Sequence, residues 1–187
     1  SINTEGKVNL INCTFKNILG RAINNTGMLN LTNTLFNTDS IYQHPKVTNL
    51  NKNTNNGLIY NAGTLNITNC KFNNIYLPNQ IIMKNKNITW IGIIYNTENG
   101  ILSIADSKFT NIEFRAIKNN GKINITNTSF ENKTKLQINQ IINDTTYQTL
   151  NNYIYQSYRE KAIKSVDGSI IHNSNIMIIE NSSFRNI

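Results

Sequence analysis

Acid–base hydrolysis, or a grip on a divalent cation, needs carboxylates gathered at one place. The chain has ten Asp and Glu residues among 187, and their spacing keeps them apart. Asp39 falls at the edge of one non-repetitive stretch and Asp144 and Asp167 in or at the edge of another, and Asp106 stands where equivalent positions hold Asn. The two histidines, His44 and His172, share no motif, so neither a paired general base nor a metal site is indicated. Arg21 and Arg115 occupy equivalent positions and are the cations a lyase would recruit, yet no calcium-binding acid cluster accompanies them. The expectation is a protein without catalytic residues, metal or cofactor.

A second chemistry is aromatic. Tyr60, Tyr95, Lys118 and His172 occupy one repeated position, together with Asn24. Tyr42, Tyr76 and Trp90 lie in stretches that border it. Aromatic faces flanked by amides suit sugar rings, whose C–H faces stack while their hydroxyls take hydrogen bonds. The plainer reading is that Tyr60 and Tyr95 anchor the bordering stretches to the body of the protein.

Both readings depend on a repeat that fixes where these residues sit. The run Gly63-Thr-Leu-Asn-Ile-Thr-Asn-Cys-Lys-Phe-Asn-Asn74 recurs without a gap from Gly6, Gly27, Gly100 and Gly121, and from Asn175 in place of glycine, making six units. One column is apolar: Val8, Leu29, Leu65, Leu102, Ile123, Met177. Two places on it is apolar again, and two further on come Asn12, Asn33, Asn69, Asp106, Asn127 and Asn181. Each unit then reaches a phenylalanine: Phe15, Phe36, Phe72, Phe109, Phe130 or Phe184. A period of two belongs to strands. Asn tolerates the left-handed backbone of a tight bend, so each unit reads as strand, one-residue corner, strand. A third short strand precedes each glycine, as in Leu58-Ile59-Tyr60-Asn61.

Three strands per rung, with each apolar column buried only by its neighbours, predict an all-β fold: a right-handed parallel β-helix of about six rungs in a single domain over residues 1–187. The phenylalanine spacings are 21, 36, 37, 21 and 54 residues. The excess must leave the solenoid at one corner, as insertions near 39–56, 76–91 and 133–167. Leu150, Ile154, Tyr158 and Ala162 recur at a spacing of four, which predicts one short helix over about 146–165.

About a fifth of the residues are Asn, a composition that elsewhere signals disorder, but here they fall in fixed columns able to form hydrogen-bonded ladders. The net charge of +8 is spread thinly without a basic run, so nucleic acid is not an expected partner. No apolar stretch is long enough for a membrane span. Cys13 and Cys70 share a column two rungs apart, roughly 9 to 10 Å in a sheet, beyond the reach of a disulfide. On the middle strand, Asn30, Asn66 and Asn124 face outward with Thr32, Thr68 and Thr126, an array able to order water that also reads as Asn-x-Thr glycosylation acceptors. The absence of a capping element at either end predicts a segment of a longer surface protein, or ends that meet further rungs or subunits.

The stretch Ile59-Tyr-Asn-Ala-Gly-Thr-Leu-Asn-Ile-Thr-Asn-Cys-Lys-Phe-Asn-Asn74 resembles the repeat of adhesin-like surface proteins of methanogenic archaea. Those are similar to polymorphic outer-membrane protein repeats and to the wider right-handed β-helix group that includes pectate lyases. The likeness covers all six rungs and none of the insertions. It implies an extracellular, wall-attached or secreted protein for adhesion or surface structure, with a cell-wall or host glycan or another surface protein as partner. The alternative is a polysaccharide-processing β-helix such as a lyase or tail-spike-like domain.

Overall fold

In the strand Thr64–Thr68, Leu65 and Ile67 are buried while Asn66 and Thr68 are turned out, as a period of two requires. The same alternation repeats through the protein. The computed structural model describes residues 1–18, 21–37, 58–75, 92–112, 115–132 and 170–187. The three insertions and the expected helix lie outside these.

The first rung is β1 (Ile2–Thr4), β2 (Lys7–Ile11) and β3 (Thr14–Lys16). The second is β4 (Ile23–Asn25), β5 (Met28–Thr32) and β6 (Leu35–Asn37), and the third β7 (Ile59–Asn61), β8 (Thr64–Thr68) and β9 (Lys71–Ile75). The fourth is β10 (Ile94–Asn96), β11 (Ile101–Ala105) and β12 (Lys108–Ile112), and the fifth β13 (Ile117–Asn119), β14 (Lys122–Thr126) and β15 (Ser129–Glu131). The sixth is β16 (Ile171–Asn173), β17 (Ile176–Glu180) and β18 (Ser183–Arg185). Like strands pair in parallel into three six-stranded sheets, the fold of a parallel β-helix. Register holds without slip across the long insertions: Ile23, Ile59, Ile94, Ile117 and Ile171 are successive partners on the first sheet.

The six phenylalanines stand in single file on the third sheet, with ring centroids 4.5 to 4.9 Å apart and planes within 11° of parallel. Leu29, Leu65, Leu102 and Ile123 form a second buried column beside them. The corner asparagines adopt the predicted left-handed backbone, with Asn12, Asn33, Asn69, Asp106, Asn127 and Asn181 at φ between 47 and 56°. Their side chains ladder on the outside where Asn33 donates to Asn12, Asn69 to Asn33 and Asn127 to Asp106, at 2.7 to 3.2 Å.

Two further columns emerge. Shortly beyond the phenylalanine a second left-handed position recurs at Asn17, Asn74, Asn111 and Asn186, with φ of 52 to 54°; in β9 and β12 it falls within the strand, just before the buried Ile75 and Ile112. Inside the barrel, Asn25, Asn61, Asn96 and Asn119 are fully buried. Each donates its amide to the Oδ1 of the equivalent Asn one rung on, ending at Asn173, at 2.6 to 2.7 Å. A buried amide is costly unless paired, and this ladder pairs every one. The glycine that follows two residues later is there for space, since a Cβ on Gly63 would run into the Gly27 carbonyl of the rung before.

The small-residue column is also a polar device. Thr34, Cys70, Ser107, Thr128 and Ser182 each turn a hydroxyl or thiol onto the carbonyl two residues back. Both cysteines are free. Cys70 is almost wholly buried, and that burial pushes its thiol pKa up, against a smaller lowering by backbone hydrogen bonding at Thr34 and Thr68.

Candidate binding face on the first sheet

Only the middle residue of each first-sheet strand faces outward, because its two neighbours are committed to the aliphatic core and the amide ladder. β7 and β10 both read buried, half-buried, buried, and their central residues are Tyr60 and Tyr95. The register therefore makes a column: Asn24, Tyr60, Tyr95, Lys118 and His172 are successive partners. These residues are separated by tens of positions in sequence, yet they stand roughly 5 Å apart.

The two phenol rings meet edge to face, with centroids 5.7 Å apart and planes at 70°. A cation lies over each. Arg21 Cζ is 4.6 Å from the Tyr60 centroid and Lys118 Nζ is 5.6 Å from that of Tyr95. Such contacts contribute about 0.5 to 1 kcal/mol at an exposed site. Arg21 also reaches Asn24, with Nη1 donating to Oδ1 at 3.5 Å, and Asn120 Nδ2 donates to the Tyr95 hydroxyl at 3.4 Å. His172 Nε2 lies 3.1 Å from Ser174 Oγ.

The Tyr95 pKa is raised, first by partial burial, then by the neighbouring Tyr60 and Glu98, against a smaller lowering by the Asn120 hydrogen bond. The phenol is therefore a neutral donor at physiological pH. With cations over the rings, a ligand on this face meets ammonium, guanidinium and hydroxyl groups as well as ring surface. The sequence already places Lys118 and His172 in this column beside the aromatic and amide groups; what it does not reveal, by any period, is Arg21 over Tyr60.

Tyr60, Tyr95, Lys118 and His172 are thus brought into one column. Tyr42, Tyr76 and Trp90 lie outside the described residues. Among the described residues, no group of three His, Cys, Asp or Glu side chains is placed to hold a metal ion. No helix among them is long and apolar enough to cross a membrane. Family models, curated proteins and solved structures were all compared with the chain, and none matches it.

Proposed function

We propose that the chain is a non-catalytic, adhesin-like or structural domain that works outside the cell, on its surface or in secreted form. Its first-sheet face, from Asn24 to His172, engages a glycan or a partner surface. One observation carries this reading: an aromatic pair bracketed by cations, Arg21–Tyr60–Tyr95–Lys118, is presented on rigid strands whose neighbouring side chains are locked inside. Sugar-binding faces use aromatic surface for shape and a few fixed polar groups for orientation, and this column supplies both. Rigid support lowers the ordering cost of binding.

The test is a glycan and cell-wall array probed with the wild type and with a Tyr60→Ala, Tyr95→Ala double variant. The expected outcome is binding by the wild type and its loss in the double variant, with the far-UV circular dichroism unchanged. Equal binding by both would remove the site. Turnover of a polysaccharide in the same assay, with or without calcium, would overturn the non-catalytic reading.

A further inference from the structure

We propose that the first-sheet face selects an acidic glycan, one whose sugar rings carry carboxylate or sulfate groups. The inference rests on the reading of that face as a glycan site and adds the charge of the ligand. Along the sequence the basic residues are scattered singly, and nothing there groups Arg21 with Lys118. The solenoid does. Arg21 precedes β4 in the second rung and Lys118 is the centre of β13 in the fifth, and each leans onto one member of the Tyr60–Tyr95 pair that stands between them.

That placement favours an anionic sugar over a neutral one. A cation over an aromatic ring takes the place that the C–H face of a sugar would take, and here a cation lies over each of the two rings. A neutral sugar must displace the cation in order to stack there. An acidic sugar meets the cation where it already stands, in a charge-assisted contact stronger than a neutral hydrogen bond.

The cations are also suited to the task. A ring orients a cation without neutralising it, because a quadrupole carries no net charge. Lys118 has its ring contact and pairs with no carboxylate among the described residues, unlike Lys108 on the third sheet, whose ammonium meets Glu131 at 3.3 Å. Arg21 is half-buried and held by the Tyr60 ring and Asn24. Its planar fork matches a carboxylate or a sulfate, and its support lowers the cost of ordering it. Arg115 has the equivalent sequence position in the fifth rung, but at 5 % exposure it is enclosed and not offered to a ligand.

One carboxylate opposes the arrangement. Glu98 is exposed in the turn between β10 and β11 and lies close enough to act on the Tyr95 phenol. It repels an anion at that end of the ring pair, so its removal should tighten the site.

The test is an array of matched pairs. Hyaluronan, alginate and chondroitin oligosaccharides are each set beside their carboxyl-reduced neutral forms, and chondroitin sulfate beside chondroitin separates sulfate from carboxylate. Acidic members should bind about tenfold more tightly than their neutral partners, by an excess that shrinks with added salt. Lys118→Gln should weaken acidic binding about three- to fivefold and Glu98→Gln should strengthen it about twofold, with neutral members unmoved. Circular dichroism checks the fold of both variants, and the wild-type pairs decide the matter if either is not folded. Equal binding of the acidic and neutral members of every bound pair would overturn this inference and leave the glycan face standing. Binding of no member would overturn it together with the glycan reading on which it rests. Single-stranded DNA bound as tightly as the acidic oligosaccharides would reveal an unselective cationic surface and also overturn it.

Discussion

Asn61 Nδ2 donates to Asn96 Oδ1 at 2.6 Å, between two side chains with no exposure to solvent. The residues are 35 apart in sequence, and the bond exists only because the rungs stack in register. The same amide also reaches the carbonyls of Gly63 and Ile101. Each Asn in the barrel thus closes its own turn and ties down the next.

Removing a rung of this ladder should be costly. Asn96→Leu takes one acceptor from the Asn61 amide, which keeps the Gly63 and Ile101 carbonyls, and leaves the buried Asn119 Oδ1 without its donor beside an apolar side chain. An orphaned buried group costs about 1 to 3 kcal/mol, and the variant should lose that much. Asn66→Ala, which removes an outer ladder member with access to water, should lose less than about 1 kcal/mol. Urea midpoints measure both, and equal losses would show that the inner ladder has no special weight.

The phenylalanine file gives a graded prediction. Phe72 is fully buried between Phe36 and Phe109, whereas Phe184 is 42 % exposed with a ring on one side. Phe72→Ala should cost about 3 to 5 kcal/mol and Phe184→Ala clearly less, read as shifts in thermal midpoint.

Cysteine labelling should separate the two thiols. Cys70 is 1 % exposed and its pKa is raised by burial, so its thiolate is scarce as well as sheltered. A thiol reagent at pH 8 should modify half-buried Cys13 and leave Cys70 until denaturant is added. Modification of both at one rate in the native protein would contradict the packing of this column.

Alkaline pH offers a linkage test of the binding face. The folded protein holds Tyr95 protonated above its ordinary pKa of 10. The unfolded chain then releases this proton first as pH rises. The stability contributed by Tyr95 is complete below about pH 10 and declines above it, until the folded phenol also ionises. Tyr95→Phe should flatten the fall in stability above pH 10, and it should remove a late-ionising phenol from the phenolate absorbance titration.

The rungs were legible because two signals agreed: a period of two in the apolar columns, and an Asn, or Asp106 in the fourth rung, wherever φ turns positive at the first corner. The phenylalanine file followed from alignment alone, insertions notwithstanding. The second corner is written as plainly, in Asn17, Asn74, Asn111 and Asn186, but it is the last position of the repeated run, beside the points where the insertions leave. The inner ladder was half visible. Asn25, Asn61, Asn96 and Asn119 mark a fixed position, and with Asn24, Tyr60, Tyr95 and Lys118 outward the period of two already turns them in. Their partners, however, are one another across rungs, which the pattern within one rung does not reveal. Of the candidate face, the column of Tyr60, Tyr95, Lys118 and His172 came from register. Arg21 over Tyr60 did not, because a long side chain chooses its partner by reach across rungs.

Stacking in register of residues 36 and 37 apart underlies the core, the inner ladder and the binding face alike. Nuclear Overhauser contacts between phenylalanine rings, in protein carrying isotope only in Phe and assigned with single Phe→Leu variants, test it most directly. The Phe72 ring should show contacts to Phe36 and Phe109 and none to Phe15 or Phe130. A Phe72 ring without contact to either neighbour would contradict the stack, and the face built on it would lose its basis.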